Sequence, residues 1–138
     1  MLSLPAMDTL ELGLKGKVAI VTGASDGLGR AAAERFARCG ANVAMAARRP
    51  DVLESAAQAI QKATGAEILA RPTDVTQPAE LAALVAAVTQ RFGGVDILVN
   101  NAGTSQAGSL ETVTDEVWQY DWDLKVMAAI RLCRLVIP

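Results

Sequence analysis

The fold of this 138-residue chain is decided by one stretch, Lys17-Val-Ala-Ile-Val-Thr-Gly-Ala-Ser-Asp-Gly-Leu-Gly-Arg30. An apolar run over residues 18–21 is followed by closely spaced glycines and then by a helix-prone segment over residues 30–39. This order predicts a buried strand, a glycine turn and the N-terminus of a helix.

The glycines of this turn predict an anion-binding site. Gly23 allows a tight turn, Gly27 lets a ligand approach the backbone, and Gly29 lets the helix pack closely on the strand. Backbone N–H groups at the positive end of a helix dipole favour a pyrophosphate. The alternative for this motif alone is an ordinary glycine-rich connection between a strand and a helix.

The rest of the chain alternates strand and helix signals. Further strands are predicted over residues 42–47, 67–71 and 95–99. A second helix is predicted to begin near Pro50, a third near Pro78, and a last helix to cover residues 114–137. Apolar residues at helical spacing predict the buried faces of the first three helices: Leu28, Ala32 and Phe36; Leu53, Ala56, Ala57 and Ile60; Leu81, Leu84, Val85, Val88 and Phe92.

This alternation predicts an α/β fold, a Rossmann-type doubly wound parallel sheet with three α/β/α layers and strand order 3-2-1-4. We expect residues 14–138 to form this domain, after an N-terminal extension of residues 1–13. The fold would be truncated after the fourth strand and the helix that follows it. Because the strand over residues 95–99 would then lie at an open edge, we expect a partner segment beside it.

Composition excludes several classes of function. The net charge of −2 predicts neither a nucleic-acid nor a membrane partner, and no apolar run is long enough for a signal or a membrane span. The sequence has no histidine, which excludes Ser-His-Asp and Cys-His catalysis and argues against a metal site. The two cysteines are isolated and are expected to be buried free thiols. We expect a cytoplasmic protein.

Polar or small residues follow every predicted strand. They are the glycine turn, Arg48 and Arg49, Thr73 and Asp74, and the sequence Asn100-Asn-Ala-Gly103. Because ligands of doubly wound sheets bind beyond the C-terminal ends of the strands, these groups are expected to converge on a dinucleotide.

The end of the second strand predicts which dinucleotide is bound. A carboxylate usually holds a free ribose 2′-hydroxyl there, but Ala46-Ala47-Arg48-Arg49 contains no acid. A guanidinium can instead hold a 2′-phosphate, so Arg48, with Arg49 as a second candidate, predicts NADP(H) rather than NAD(H). The alternative is that both arginines are solvated loop residues.

At three other positions beyond the strand ends, the sequence allows either a ligand contact or a structural role. Asp74 could accept a hydrogen bond from the adenine amino group or could serve locally as an Asx-turn or cap residue. Asn100 and Asn101 could contact the ligand or could tie the fourth strand to its neighbours. Ala102 and Gly103 are small and would leave space for access to the cofactor.

The last helix carries further candidates. Trp118 and Trp122, one turn apart, indicate core packing or a subunit contact rather than a base-stacking platform. Lys125 is either solvated or directed toward the site.

Three motifs in this order resemble those of the short-chain dehydrogenases/reductases of the classical type, similar to 3-oxoacyl-acyl-carrier-protein reductases. They are Thr22-Gly-Ala-Ser-Asp-Gly-Leu-Gly29, Asp74-Val75 and Asn100-Asn-Ala-Gly103, and the resemblance extends over residues 12–138. It implies a set of cofactor-binding residues: Gly23, Ser25, Asp26, Gly27, Leu28, Gly29, Arg48, Asp74, Val75, Asn100, Ala102 and Gly103.

The same resemblance implies hydride transfer between NADP(H) and a carbonyl or secondary alcohol, in a homodimer or homotetramer built through the helix over residues 114–137. The family's catalytic serine and Tyr-x-x-x-Lys pair would lie beyond Pro138, and Tyr120 is followed four positions later by Leu124. In an alignment without gaps from Trp118 to Pro138, the resemblance places Lys125 at the position of the family's catalytic asparagine, whereas a two-residue shift would place Asp123 there. We therefore expect a cofactor-binding half that is inactive alone, or alternatively a non-catalytic dinucleotide-binding or assembly module.

Overall fold

The computed structural model describes residues 12–104 and 107–137. Most of the predicted N-terminal extension, residues 1–11, lies outside the described residues. The strands are β1 (Val18–Thr22), β2 (Asn42–Ala47), β3 (Ile68–Pro72) and β4 (Ile97–Val99). The helices are α1 (Gly27–Arg38), α2 (Pro50–Thr64), α3 (Pro78–Phe92), α4 (Asp115–Trp122) and α5 (Ala128–Val136), and a π-helical segment, Asp123–Met127, joins the last two.

The four strands form one parallel sheet in the order β3-β2-β1-β4. Ile20 in β1 lies between Ala44 in β2 and Leu98 in β4. Helices cover both faces of the sheet, so the predicted three-layer, doubly wound α/β fold and its strand order are confirmed.

The two faces of the sheet bury different residues of the same strands. Val43 and Met45 in β2 pack toward α1 and α2, where Leu53 and Ile60 are fully buried. Ala44 and Ala46 alternate with them and pack toward α3 and α5, among the following buried side chains: Leu81, Leu84, Val88 and Leu132. This alternation is the period-two pattern of a strand buried on both faces.

Two predicted helix faces agree with the structure and the third agrees only in part, since Phe36 packs against the core but Leu28 does not. The four predicted inner residues of α2 are all buried, and α3 buries Leu81, Leu84 and Val88. In α1 the buried residues are Gly29, Ala33 and Ala37, whereas Leu28 is 84% exposed. The helix begins at Gly27, capped by Asp26, and its small residues allow close packing on the sheet, so the buried stripe lies one position later than predicted.

The last part of the chain also differs from prediction. The strand predicted over residues 95–99 is only three residues long, and each is half-buried because β4 pairs with β1 alone in the part of the chain that the structure describes. The single helix predicted over residues 114–137 contains the π-helical segment in its middle. Cys39 and Cys133 are free, as expected, but only half-buried.

Candidate functional site

The glycine turn joins β1 to α1 at the C-terminal edge of the sheet. Gly23 has a φ of 63°, and a Cβ atom there would lie 2.9 Å from the Cα of Ala102. A Cβ at Gly29 would lie 2.2 Å from the carbonyl oxygen of Gly23. Both positions therefore exclude a side chain, as the sequence predicted. At Gly27 the φ is 55° and nothing lies within 4 Å of a built Cβ, so that side of the turn is open.

The start of α1 presents free backbone donors. Asp26 caps the helix, because its Oδ1 accepts a hydrogen bond from the Gly27 N–H at 2.7 Å. The first backbone hydrogen bond joins the Arg30 N–H to the Asp26 carbonyl. Within the described residues, the N–H groups of Leu28 and Gly29 therefore have no backbone acceptor, as is usual in a first helical turn. The side chain of Leu28 is exposed.

Thr22 and Asn101 tie the end of β4 to the glycine turn. The Thr22 Oγ1 accepts hydrogen bonds from the N–H groups of Asn101 and Ala102, both at 3.0 Å. The Asn101 Nδ2 donates to the carbonyls of Thr22 and Gly23 at 3.0 and 3.2 Å. Asn101 thus has the structural role that the sequence left open. The buried Thr22 was not predicted to act here, although its place between an apolar strand and a glycine is a usable signal.

A cavity of about 500 Å³ opens beside these elements. Seven predicted cofactor residues line it: Gly23, Ser25, Asp26, Arg48, Val75, Ala102 and Gly103. Arg49, Thr73, Thr104 and Leu124 complete the wall with Ala47. The ends of all four strands therefore meet around one concavity, as expected. The other five predicted cofactor residues do not line it: Gly27, Leu28, Gly29, Asp74 and Asn100.

Arg48 lies on the wall between this cavity and a shallower concavity that also includes Arg71 and Asp74. Its Nη1 donates a hydrogen bond of 3.2 Å to the hydroxyl of Tyr120 in α4. The side chain is exposed, so its remaining N–H groups are accessible to a ligand.

Asp74 has the local role that the sequence left open. Its Oδ1 accepts hydrogen bonds from the Thr76 N–H at 2.9 Å and from the Thr76 hydroxyl at 2.7 Å. Its own N–H donates to the Glu80 carboxylate at 2.6 Å. These bonds form an Asx-type turn that leads into α3.

Lys125 belongs to the π-helical segment at the edge of the site. It is exposed and its Nζ forms an ion pair of 2.7 Å with the Asp121 Oδ2. It also borders a small cavity of about 20 Å³, together with Thr22, Asn100 and Ala102. Asn100 is exposed, and its Nδ2 lies 3.7 Å from the Cys133 Sγ.

The two tryptophans of α4 do not belong to the core. Trp118 is 53% exposed and Trp122 is 56% exposed. Of the two roles predicted for them, core packing is therefore wrong, and a subunit contact stays a prediction. Along residues 12–104 and 107–137, no helix combines the length and the apolar character needed to cross a membrane.

Known proteins share this sequence and this fold. The chain is 40% identical over 126 residues to the 3-oxoacyl-acyl-carrier-protein reductase FabG of Vibrio cholerae, a match that covers 91% of this chain and 50% of the relative. It is 33% identical over 123 residues to the D-beta-hydroxybutyrate dehydrogenase of Rhizobium meliloti, covering 88% of this chain and 48% of the relative. The chain thus spans about half the length of these curated relatives.

Among solved structures, L-sorbose reductase from Gluconobacter frateurii, complexed with NADPH and L-sorbose, is 44% identical and superposes with a TM-score of 0.91, over 94% of this chain and 49% of that one. The family model described as short chain dehydrogenase matches residues 17–138. The glycine turn, the four-stranded sheet and these matches agree, and the chain belongs to the short-chain dehydrogenase family.

Proposed function

We propose that this chain binds NADP(H) in the 500 Å³ cavity and supplies the dinucleotide-binding part of an oxidoreductase. The observation that carries the proposal is the meeting of the open glycine turn and Arg48 on one cavity wall. Related structures support it, since the L-sorbose reductase was solved with NADPH and a metagenomic short-chain oxidoreductase with NADP. We take residues 14–138 as the binding domain.

The residues present fit the cofactor. The turn at Gly23 and Gly29 leaves no room for side chains, which brings the backbone itself to the cavity. The Thr104 Oγ1, on the cavity wall, is buried and has no hydrogen-bond partner within the described residues. A buried hydroxyl without a partner is costly, and a polar ligand would satisfy it.

Each part of the wall would have a distinct task. The free N–H groups of Leu28 and Gly29, together with Ser25, would hold the pyrophosphate at the positive end of α1. Arg48 would bind the 2′-phosphate with charge-assisted hydrogen bonds. Val75 and Ala102 would provide apolar contacts for the rings and exclude water. The bound cofactor would supply a hydride at its nicotinamide ring.

The whole protein would transfer that hydride between the cofactor and a carbonyl or a secondary alcohol, as a 3-oxoacyl reductase does. Lys125 stands where the family has an asparagine, and an ammonium group lacks the carbonyl acceptor of an amide. We propose that this lysine, oriented by Asp121, keeps a positive charge beside the site. We further propose that the 138-residue chain alone turns nothing over.

Titration with NADPH and with NADH, followed by nicotinamide fluorescence, tests the proposal. We expect tighter binding of NADPH, and Arg48→Ala should weaken NADPH binding by about 10- to 100-fold because it removes charge-assisted bonds. The same variant should leave NADH binding nearly unchanged. Binding of neither dinucleotide would contradict the cofactor proposal, and tighter binding of NADH would contradict the role of Arg48. Incubation of the chain with NADPH and a 3-oxoacyl substrate should leave the fluorescence constant.

We also propose a subunit contact along the last helical region. Two tryptophans of α4 and Ile130 and Leu135 of α5 are all exposed apolar side chains. Exposed apolar groups of this size mark interaction surfaces. Sedimentation should show a dimer or tetramer that dissociates in the double variant Trp118→Ser, Trp122→Ser. A monomeric wild-type chain would contradict this contact.

A further inference from the structure

The hydrogen bond between Arg48 and Tyr120 joins two distant parts of the chain at the binding cavity. Arg48 directly follows β2, whereas Tyr120 lies in the middle of α4, 72 positions later. Within the described residues, the Tyr120 hydroxyl is the hydrogen-bond partner of this guanidinium, at 3.2 Å. The contact therefore fixes a side chain that is otherwise exposed.

Tyr120 offers a fixed acceptor because its ring is anchored. The residue is half-buried and packs against the core cluster formed by β1, β2, α3 and α5. Its neighbours on the same helix, Trp118 and Trp122, are exposed instead. A phenol with a packed ring and a solvent-facing hydroxyl holds a hydrogen-bond partner at little entropic cost, since the ring is already ordered.

Arg48 keeps binding capacity when it donates to Tyr120. A guanidinium has five N–H groups in a planar fork, and Tyr120 takes one of them. Arg48 lines both the 500 Å³ cavity and the neighbouring concavity of Arg71, Thr73 and Asp74, so the other N–H groups are available to a ligand there. Preorganising a flexible cation in this way reduces the entropy lost when an anion binds.

We propose that Tyr120 is a positioning residue that holds the Arg48 guanidinium ready for the 2′-phosphate and so contributes to the preference for NADPH over NADH. This inference rests on the proposed function. The tyrosine acts only through Arg48, so it affects NADPH binding and leaves NADH binding unchanged.

The test is a double-mutant cycle on dinucleotide affinity. Tyr120→Phe removes the hydroxyl and retains the ring, and it should raise the dissociation constant for NADPH about three- to ten-fold, the effect of one hydrogen bond. The constant for NADH should not change. In an Arg48→Ala background the same substitution should have no further effect on NADPH, because the two residues then no longer interact.

A matched control and a second variant keep the test decisive. Gln119→Ala changes an exposed residue next to Tyr120 on the same helix, whose side chain donates to Asp123 and not to Arg48, and it should leave both affinities unchanged. Arg48→Lys keeps the charge but loses the planar fork, so it should also abolish the effect of Tyr120→Phe. Melting temperatures of all variants report whether folding is retained.

Three results would overturn the inference: an unchanged NADPH affinity in Tyr120→Phe, a tighter one, or an equal weakening of NADH. A tighter affinity would mean that Tyr120 competes with the cofactor for Arg48. If wild-type protein prefers NADPH and Tyr120→Phe behaves like it, only this inference fails. If wild-type protein binds both dinucleotides equally, the role of Arg48 and this inference fail together, and if it binds neither, the proposed function fails as well.

Discussion

The two flanks of the sheet are built in different ways. The flank of β1, α1, β2 and α2 is a packed core, in which all five residues of β1 and the four inner residues of α2 are buried. The flank of β4, α4 and α5 is thin, because β4 is half-buried, α4 buries no residue and α5 buries Ala128 and Leu132. The cavity lies between them.

This difference separates two tasks. The glycine turn is enclosed at Gly29 by its own Gly23 carbonyl and by Asn101, where an added Cβ would find no room. The thin flank contributes its part of the cavity wall mainly through polar ties, above all those of Asn101 to the end of β1. We therefore expect added atoms in the glycine turn to lower the free energy of unfolding, and we expect the same from hydrogen bonds removed at the cavity wall.

The largest expected effect is that of Gly29→Ala. The new Cβ would lie 2.2 Å from the Gly23 carbonyl oxygen and 2.5 Å from the Asn101 Nδ2, so α1 must move away from β1. We expect a loss of at least about 3 kcal/mol in the free energy of unfolding, measured by urea denaturation.

Gly94→Ala is the control for this substitution. This glycine precedes β4 and has nothing within 4 Å of a built Cβ, so the change should cost less than about 0.5 kcal/mol. Equal losses in the two variants would contradict the distinction between a packed and a thin flank.

Leucine truncations compare the two flanks directly. Leu53→Ala creates a cavity at a fully buried position on the inner face of α2. It should lower the free energy of unfolding by about 3 kcal/mol, measured by urea denaturation. Leu98→Ala removes a half-buried side chain of β4 and should cost less than half as much, since part of it is already hydrated. An equal or larger loss at Leu98 would contradict the weaker burial of the β4 flank.

A third effect concerns the tie between the flanks. Asn101→Ala removes two donors and leaves the carbonyls of Thr22 and Gly23 without them, which should cost about 1–3 kcal/mol. Amide hydrogen exchange should become faster at the end of β4. Asn100→Ala is the matched control, because it removes only the 3.7 Å contact between the Asn100 Nδ2 and the Cys133 Sγ. It should have little effect on the free energy of unfolding.

The smallest effect is a pH dependence at the exposed start of α4. A hydrogen bond from the Thr114 side chain, and then one from the Glu116 backbone, lower the pKa of Glu116 below its usual value. Because the folded pKa is the lower one, this stabilisation is present above the unfolded pKa and is lost as the pH falls through the folded pKa. NMR titration of Thr114→Ala should move the Glu116 pKa back upward, and an unchanged pKa would exclude this cause.

Local patterns predicted the packed flank well and the thin flank less well. The inner face of α2 was predicted correctly because its large apolar residues mark one side of the helix. In α1 the buried residues are one glycine and two alanines, and because alanines occur on several sides of this helix they do not single out one face, so the conspicuous Leu28 was misplaced. Within the described residues β4 pairs with β1 alone, as the predicted strand order implied, but the hydrophobicity of residues 95–99 gave no sign that only three of them form the strand.

The candidate site was predictable in its elements and not in its contacts. The order of strands and helices was enough to bring Gly23, Arg48 and Ala102 to one cavity. The bonds of Thr22 with Asn101 and of Arg48 with Tyr120 join residues more than 70 positions apart, and no local pattern encodes them. For Asp74, the spacing to Thr76 is compatible with the observed Asx-type turn, but it could not distinguish this turn from a contact with adenine.

The π-helical segment has a consequence for how this region tolerates change in length. A turn of this kind holds one residue more than an α-helical turn, so the helix after it is rotated by about 100° relative to an uninterrupted helix. Residues before the segment can therefore face outward while Leu132 after it faces the sheet. Deletion of one amino acid between Asp123 and Met127 would restore a regular α-helix. Either the residues before the segment would then change the side they face, or Leu132 would no longer face the sheet.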